Sequence, residues 1–512
     1  MKIRLTLIVL LGILLPNVIN SQWIQQGSKL TASDAASDSN QGISVAISSD
    51  GSTLIEGGWH DNNLIGAAWI FIRNGSAWVQ QGTKLVGTGS VEFPEQGFSV
   101  AISLDGNTAV IGGNGDNNSV GAIWVFTRNG GVWIQQGSKL VGTGSSGHSA
   151  QGSSVAISSD GNTIIEGGAG DTGTFLDAIG AIWIFTRSNG IWTQQGSKIV
   201  GTGAVGNGRQ GRSVAISSDG NTVIEGGYAD NNKIGAVWVF TRSGGIWTQQ
   251  GTKLVGAGFI GTQIYQGFSI SLSGDGNTFV EGGESDNNNA GAIWIFTRSN
   301  GIWTQQGSKL IGTGAAGNAY QGSSVTISAN GNVLVEGGNY DNNNGTRGAI
   351  WIFLRNGTVW TQQAQKIIGT GGVGNSQQGT SVAISTDGNT VIDGGYQDNN
   401  GLGAIWAFYN PLIGIQPISS EISNTFSLSQ NYPNPFNPST KIRFAIPGSS
   451  VAQTFLSVYD VLGKEVAKLV NEKLKPGIYS VDWNAANYPS GIYFYRITAG
   501  DFADTKKMIL TK

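Results

Sequence analysis

The sequence predicts an all-β protein, a seven-bladed β-propeller followed by a small Ig-like β-sandwich, on three observations. First, a block of about 55 residues recurs seven times before residue 410, each copy opening on a Gln-Gly pair at Gln41, Gln96, Gln151, Gln210, Gln266, Gln321 and Gln378. Second, Trp-x-Gln-Gln also occurs seven times, at Trp23, Trp78, Trp133, Trp192, Trp247, Trp303 and Trp360. The two series are offset: a Trp segment precedes the first Gln-Gly block, and none follows the last. A linear array has no reason to split one unit across its ends, whereas a closed ring does. Third, the repeat stops at Asn410, and eight of the ten prolines lie beyond it.

Each element of the block follows from local chemistry. In Gln210–Val255 the apolar run RSVAISS meets Asp219-Gly220, suited to a tight hairpin because Gly accepts positive φ. The run NTVIEGG ends at two glycines and a polar loop, Tyr228–Asn232. The third run, GAVWVFTR, is apolar on both faces and must be covered on both sides. Arg242-Ser243-Gly244-Gly245 then turns the chain into IWTQQGTKLV. Four antiparallel strands repeated seven times fit blades stacked around an axis. Trp23–Leu30 is expected to supply the outermost strand of the last blade, whose inner three strands come from Gln378–Phe408. That closure removes an exposed sheet edge.

The expected divisions are a signal peptide over 1–21, a propeller over 22–410, a linker over 411–425 and a sandwich over 426–512. Lys2 and Arg4 followed by the apolar run Leu5–Leu15 have the order of a secretory signal, and the run is too short to span a membrane. No other stretch reads as transmembrane. Beyond Phe426 seven short strands are expected, among them TKIRFAI, TFLSVYDV, IYSVDW, GIYFYRIT and KKMILT.

Composition narrows the function. Glycine numbers 81 of 512 residues and charged residues are 12%, but 39% hydrophobic content and 16 Trp argue for a turn-dense folded chain over a disordered one. With 29 basic and 32 acidic side chains there is no basic field to hold nucleic acid. Cysteine is absent, which excludes disulfides and thiol catalysis. With only His60 and His148, neither a zinc site nor a Ser-His-Asp device is expected.

Two resemblances extend this reading. NYPNPFNPST at 431–440, VYDVLGKEVAKLV at 458–470, PSGIYFYRITAGDF at 489–502 and the closing KKMILTK resemble the type A sorting domain of type IX secretion substrates of Bacteroidetes-related bacteria. The resemblance implies passage through the periplasm and the outer membrane by the type IX machinery. It also implies removal of the module, with the cargo released or fixed to surface lipopolysaccharide. The repeated text QGxSVAISxDGNTxxEGG…DNN…GAIWxFTR resembles FG-GAP repeats of integrin-α-like propellers, whose loop face binds ligand. Calcium-binding members of that family carry an Asp-rich loop between the first two strands. Here it is reduced to Ser-Asp-Gly, as at Ser159-Asp160-Gly161, one carboxylate where calcium takes about six to eight oxygens. No cofactor is therefore expected and calcium is not expected in this loop, while a calcium site elsewhere stays open.

Candidate binding residues cluster on one face, because the loops after the second strand and those between blades emerge together. On it Asp61, Asp116, Asp230, Asp286, Asp341 and Asp398 each precede Asn-Asn, while one block has Asp171-Thr172-Gly173. They could coordinate a cation or sugar hydroxyls, or bond their own turn backbone. Trp59, Tyr228, Tyr340 and Tyr396 stand beside these loops, with Phe93, Phe259, Tyr265 and Tyr320 in the longer connections. Exposed rings can stack on sugars or anchor a partner, or fold back over blade ends. Six second strands end in an acid, Glu56, Glu166, Glu225, Glu281, Glu336 and Asp393, with Ile111 the exception. These could ring a channel mouth and hold cations, or be satisfied by backbone amides or by lysines such as Lys84 and Lys139. The Trp series is expected in the core. Ser217–Thr222 imitates the Asp box of sialidases but is a residue short and reads as a hairpin turn.

The expected function is therefore binding of an extracellular glycan or protein partner by a monomeric propeller, secreted or attached to the outer-membrane surface. The alternatives are a polysaccharide hydrolase or lyase using Asp171, Asp177 and His148, and a purely structural surface protein. Near-identity of the blades favours binding or structure, since acid and base catalysis needs unlike environments.

Overall fold

A computed structural model describes residues 23–74, 77–173, 177–341, 345, 347–410, 415–419, 425–437, 439–448, 452–474, 476–485 and 488–511. The expected signal peptide lies outside the described residues. The repeat folds into seven four-stranded antiparallel sheets resembling propeller blades. One runs Ser213–Ile216, Thr222–Gly227, Ala236–Ser243 and Ile246–Gln249, paired in that order. The last sheet takes its outer strand from the other end of the repeat region. Ile24–Gln25 pairs with Ala404–Tyr409, which pairs onward with Thr390–Gly395 and Ser381–Ile384. Each first strand also lies against the first strand of the next sheet, and Ser381–Ile384 lies against Ser44–Ile47, so the circuit closes.

Within a sheet the expected turn chemistry is present. Gly220 sits at φ +69°, and Asp219 Oδ1 accepts from Ser217 Oγ (2.5 Å) and from the Asn221 N–H (2.9 Å). The third strands are covered on both faces: Trp69, Trp124, Trp183, Trp238, Trp294, Trp351 and Trp406 are fully buried. Six of the indoles donate to a backbone carbonyl, as Trp238 Nε1 does to Thr202 O, 2.8 Å away, and Trp69 Nε1 donates to Asp34 Oδ1 at 2.9 Å.

Between sheets the backbones approach too closely for any side chain. A Cβ on Gly226 would stand 2.0 Å from Gly267 O, and one on Gly201 would stand 2.2 Å from the Trp238 ring. The Gln of each Gln-Gly pair is buried in this contact. Gln210 Oε1 accepts the Gly201 N–H (2.5 Å) while its Nε2 donates to Gly201 O (2.9 Å), satisfying both backbone groups with one side chain. The backbone of Gln210 bridges in parallel to Gly180 of the preceding sheet. The Gln-Gln pair has a separate use for each member. Gln249 Oε1 accepts the Thr202 N–H (2.7 Å), and Gln195 Oε1 accepts Trp247 Nε1 (2.9 Å) and Arg242 Nη1 (3.2 Å) from the following sheet.

The C-terminal region packs two four-stranded sheets on one core that includes Phe444, Leu456, Trp483, Tyr495 and Met508. Ser427–Leu428, Ser439–Ile446, Gly477–Asn484 and Ile415–Ser419 make one sheet. Glu465–Leu474, Ala452–Tyr459, Gly491–Ala499 and Phe502–Leu510 make the other. Ile415–Ser419 differs from expectation. It falls within the stretch read as linker over 411–425, yet it pairs with Gly477–Asn484. Pro417 misled the sequence reading, but proline is compatible with an edge strand, and this strand lies at the sheet's edge.

Because Gln210 satisfies a buried N–H and a buried C=O together, Gln210→Ala is expected to destabilise the fold by about 1–3 kcal/mol or more. Urea unfolding of the variant against the parent measures it.

Candidate functional site

The loop after each second strand is built to hold its aspartate inward. Asn62 and Asn63 both take left-handed conformations, φ 51° and 55°, which asparagine tolerates better than most residues. This turns Asp61 under the loop, where it is buried. Its Oδ1 accepts the Ala36 N–H (2.7 Å) and its Oδ2 pairs with Lys84 Nζ (2.5 Å). Asp116, Asp230, Asp286, Asp341 and Asp398 are buried likewise and paired with Lys139, Lys253, Lys309, Lys366 and Lys29. Asp171, in the irregular block, pairs with Lys198 at 2.5 Å. Each aspartate thus ties the connection before its sheet to the connection after it, and its oxygens are taken up by protein donors. Lys29 performs this role for the last sheet from the N-terminal segment, so the split unit is complete in its side chains as well as its strands.

The second-strand acids are also inside. Glu56, Glu166, Glu225, Glu281, Glu336 and Asp393 are fully buried between sheets, across from the core tryptophans. They do not line a channel mouth, and Lys84 and Lys139 go to the loop aspartates instead. No cation or side-chain donor meets these carboxyls among the described residues; Asp393 accepts the Gly379 N–H at 2.6 Å, and the backbone amides of Gly142, Gly201, Gly256 and Gly312 face Glu166, Glu225, Glu281 and Glu336. Burial pushes their carboxyls up, that of Glu281 and that of Asp393 to about 8, so the neutral acid is the form the fold accommodates. The reduced loop between the first two strands does not suit calcium. Asp160 spends its oxygens on Ser158 Oγ (2.6 Å), the Asn162 N–H (2.9 Å) and Asn162 Nδ2 (3.1 Å).

The open site is the mouth of the central channel, on the face of the Asp-Asn-Asn loops. It is a cavity of about 630 Å³ within the range of small-ligand pockets. Two positions of the block contribute to it, the first in all seven copies and the second in three. One is the residue after Gln-Gly, at the head of the innermost strand; the other follows the paired glycines of the second strand. Both vary inside otherwise repeated text. The first reads Ile43, Phe98, Ser153, Arg212, Phe268, Ser323 and Thr380 around the ring. The second contributes Glu284, Asn339 and Tyr396 to the lining, joined by Tyr320 and Tyr340. Deeper in, the channel narrows to a waist of valine, alanine and isoleucine side chains such as Val45, Ile47, Val214 and Ile216.

Charge and aromatic surface concentrate on one side of this mouth. The Arg212 guanidinium lies over the Phe268 ring, 4.3 Å from its centroid. Tyr228 meets Phe268 edge-on at 5.9 Å and Tyr265 at 5.6 Å, while Arg209 donates to its hydroxyl at 3.0 Å. Tyr320 and Tyr340 sit 5.0 Å apart. Among the described lining residues Glu284 is the one acid and Arg212 the one base. Burial pushes the Glu284 carboxyl up to about 7, against the opposing charge of Arg212.

Of the residues singled out from sequence, Tyr320, Tyr340 and Tyr396 line the cavity and Tyr228 supports its wall. Trp59 stands apart, edge-on to His60 at 5.2 Å. Phe93 and Phe259 are exposed on the outer connections. Arg212, Phe268 and Glu284 were missed. The signal that marks them is variation at two fixed positions of a repeat that is otherwise nearly constant.

The buried acids make stability depend on pH. The folded-state pKa of each lies above the unfolded value, so their stabilisation is complete below the ordinary carboxylate range and is lost as pH rises through the folded value, about 8 for Glu281 and Asp393. The slope is about 1.4 kcal/mol per pH unit for each group that stays neutral. Glu281→Gln is expected to flatten the fall in melting temperature between pH 5 and pH 8, read by calorimetry across that range.

Comparison with known proteins identifies the tail and leaves the repeat region at the level of architecture. No curated protein matches the chain. Among solved structures, the chain is similar to PorZ, a surface component of the type IX secretion system of Porphyromonas gingivalis, at 13% identity and a TM-score of 0.46. The match covers 94% of this chain and 61% of that one, so the chain spans about three fifths of that relative's length. The β-propeller domain of the Trilobed protease from Pyrococcus furiosus is similar at 9% identity and a TM-score of 0.35, over 71% of this chain and 93% of that one. No helix among the described residues is long and apolar enough to cross a membrane. Residues 430–511 match the family described as secretion system C-terminal sorting domain, and this module marks the chain for type IX export to the cell surface or release.

Proposed function

We propose that the protein is an exported seven-bladed propeller of FG-GAP-like repeats that binds an extracellular glycan at its channel mouth. The observation that carries this reading is the mouth itself. It is a cavity of about 630 Å³ at which Tyr320, Tyr340 and Tyr396 meet one arginine, one carboxyl and Asn339. Aromatic faces take the C–H faces of a sugar ring, and planar polar groups take its adjacent hydroxyls. The apolar waist below keeps a polar ligand at the mouth. Trp59 extends the same loop face beyond the cavity, and the buried aspartates support the binding surface by fixing the loops. The C-terminal module, an Ig-like sandwich in this reading, engages the secretion machinery and leaves the propeller as the cargo. A paired-carboxylate glycosidase would need a second acid across the cleft; Glu284 stands alone among the described lining residues.

A glycan array probed with the purified full chain, beside Tyr340→Ala/Tyr396→Ala, tests the site. Binding is expected for the parent and is expected to weaken about tenfold or more in the double variant at unchanged melting temperature. A parent that binds no glycan, or a double variant that binds as the parent does, would overturn it.

A further inference from the structure

We propose that Arg212 makes the channel mouth selective for an acidic sugar, a hexuronate residue of an extracellular polysaccharide whose carboxylate docks on the guanidinium. This rests on the glycan-binding reading above and narrows it to a substrate class.

The first support is that Arg212 is unlike the repeat's other arginines. Arg128, Arg187, Arg242 and Arg298 each close one strand hairpin and give their N–H groups to side chains. Arg242, for example, donates to Asn221 Oδ1 at 3.0 Å and to Gln195 Oε1 at 3.2 Å. Arg209 likewise donates to the Tyr228 hydroxyl. The Arg212 side chain has no hydrogen-bond acceptor among the described residues. Its position is held by the Phe268 ring beneath it, leaving its donor fork for the cavity it lines. The guanidinium keeps part of its surface open to the cavity, and a planar carboxylate matches its fork with two parallel bonds.

The second support is the neighbouring carboxyl. Glu284 lines the same cavity and also makes no hydrogen bond among the described residues. Its nearness to Arg212 disfavours a doubly charged phosphate more than a single carboxylate. Its own oxygens suit the hydroxyls that flank a sugar carboxylate. Arg212 and Tyr320 are the titratable groups that interact with it, and Tyr340 and Tyr265 stand about Tyr320. With the Glu284 carboxyl at about 7, the mouth carries more net positive charge below that pH than above it.

The tyrosine rings supply the third. A carboxylate alone would be met by Arg212, but Tyr320 and Tyr340, 5.0 Å apart, add aromatic surface for a ring beyond it. A hexuronate within a chain presents both groups together, which favours it over a peptide carboxy-terminus.

Isothermal titration of the purified full chain at pH 6 tests this, with a tetragalacturonate, its methyl ester and a sulfated neutral tetrasaccharide as probes. The uronate is expected to bind about tenfold or more tighter than the uncharged ester, in line with a charge-assisted bidentate contact. Arg212→Gln is expected to erase that preference while still binding the ester, and Arg212→Lys to keep part of it. Phe268→Leu, which retains the charge and removes its platform, is expected to narrow the preference and serves if Arg212→Gln does not fold. Equal binding of uronate and ester, or a preference that survives Arg212→Gln, overturns the acidic-sugar assignment and leaves the glycan site standing. Tighter binding of the sulfated probe, or competition by a peptide with a free carboxy-terminus at equal concentration, overturns the carboxylate-sugar assignment. No binding of any probe, together with an empty glycan array, sinks both readings.

Discussion

Gln210 and its six equivalents occupy the narrowest contact in the repeat region, where two sheets meet across glycine backbones. In six of the seven the amide satisfies a buried N–H and C=O of the incoming connection, while Gln41 accepts the Ala32 N–H and donates to Leu402 O; the following glycine lets the next sheet approach to backbone distance. Unpaired polar groups in such a contact would each carry the full desolvation cost. The spacing of sheets, the burial of the third-strand tryptophans and the closure of the circuit all depend on this contact being made every time. Its repetition explains why one residue in six or so is glycine, a usage that would otherwise suggest disorder.

Once the sheets are locked, polar side chains that look exposed in sequence become fasteners. The loop aspartates pair with lysines at the ends of the outer segments, and both connections around a sheet are fixed by one carboxylate. Burial of these pairs is tolerable because each carboxylate also accepts a backbone N–H and each ammonium keeps part of its surface in water. The second-strand acids follow a different rule. No cation or side-chain donor reaches them among the described residues, so the interior favours their neutral form, and the protein carries a ring of carboxyls that resist ionisation. Acids a few residues apart are therefore held differently, the loop aspartates by a lysine and a backbone N–H and the second-strand acids in an interior that no cation enters among the described residues.

The same rigidity leaves two positions per block free to vary. They lie at the head of the innermost strand and just past the paired glycines, and all seven copies of the first and three of the second line the channel mouth. A scaffold made of near-identical units thereby presents an asymmetric mouth, with Arg212, Phe268, Glu284 and the tyrosines on one side and smaller residues such as Ser153 on the other. Recognition on such a scaffold comes from the departures from the repeat.

The sequence by itself determined the four-strand unit, its seven copies, the unit shared between the two ends of the repeat and the sorting module. These depend on patterns local to each block: strand alternation, Asp-Gly turns, paired glycines and motif order. Trp23–Leu30 could be assigned to the last sheet without coordinates because a missing strand and a surplus strand match. The partners of the acids were not legible. Lys84 is 23 residues from Asp61 and 28 from Glu56, and spacing alone cannot say which carboxylate it meets. Nor could composition show that Ile415–Ser419 joins the C-terminal sheet. Only the tertiary structure decided that Arg212 and Glu284, 72 positions apart, share a cavity. Closing a ring brings residues together by their height along the axis, a coordinate that no local pattern in the chain records.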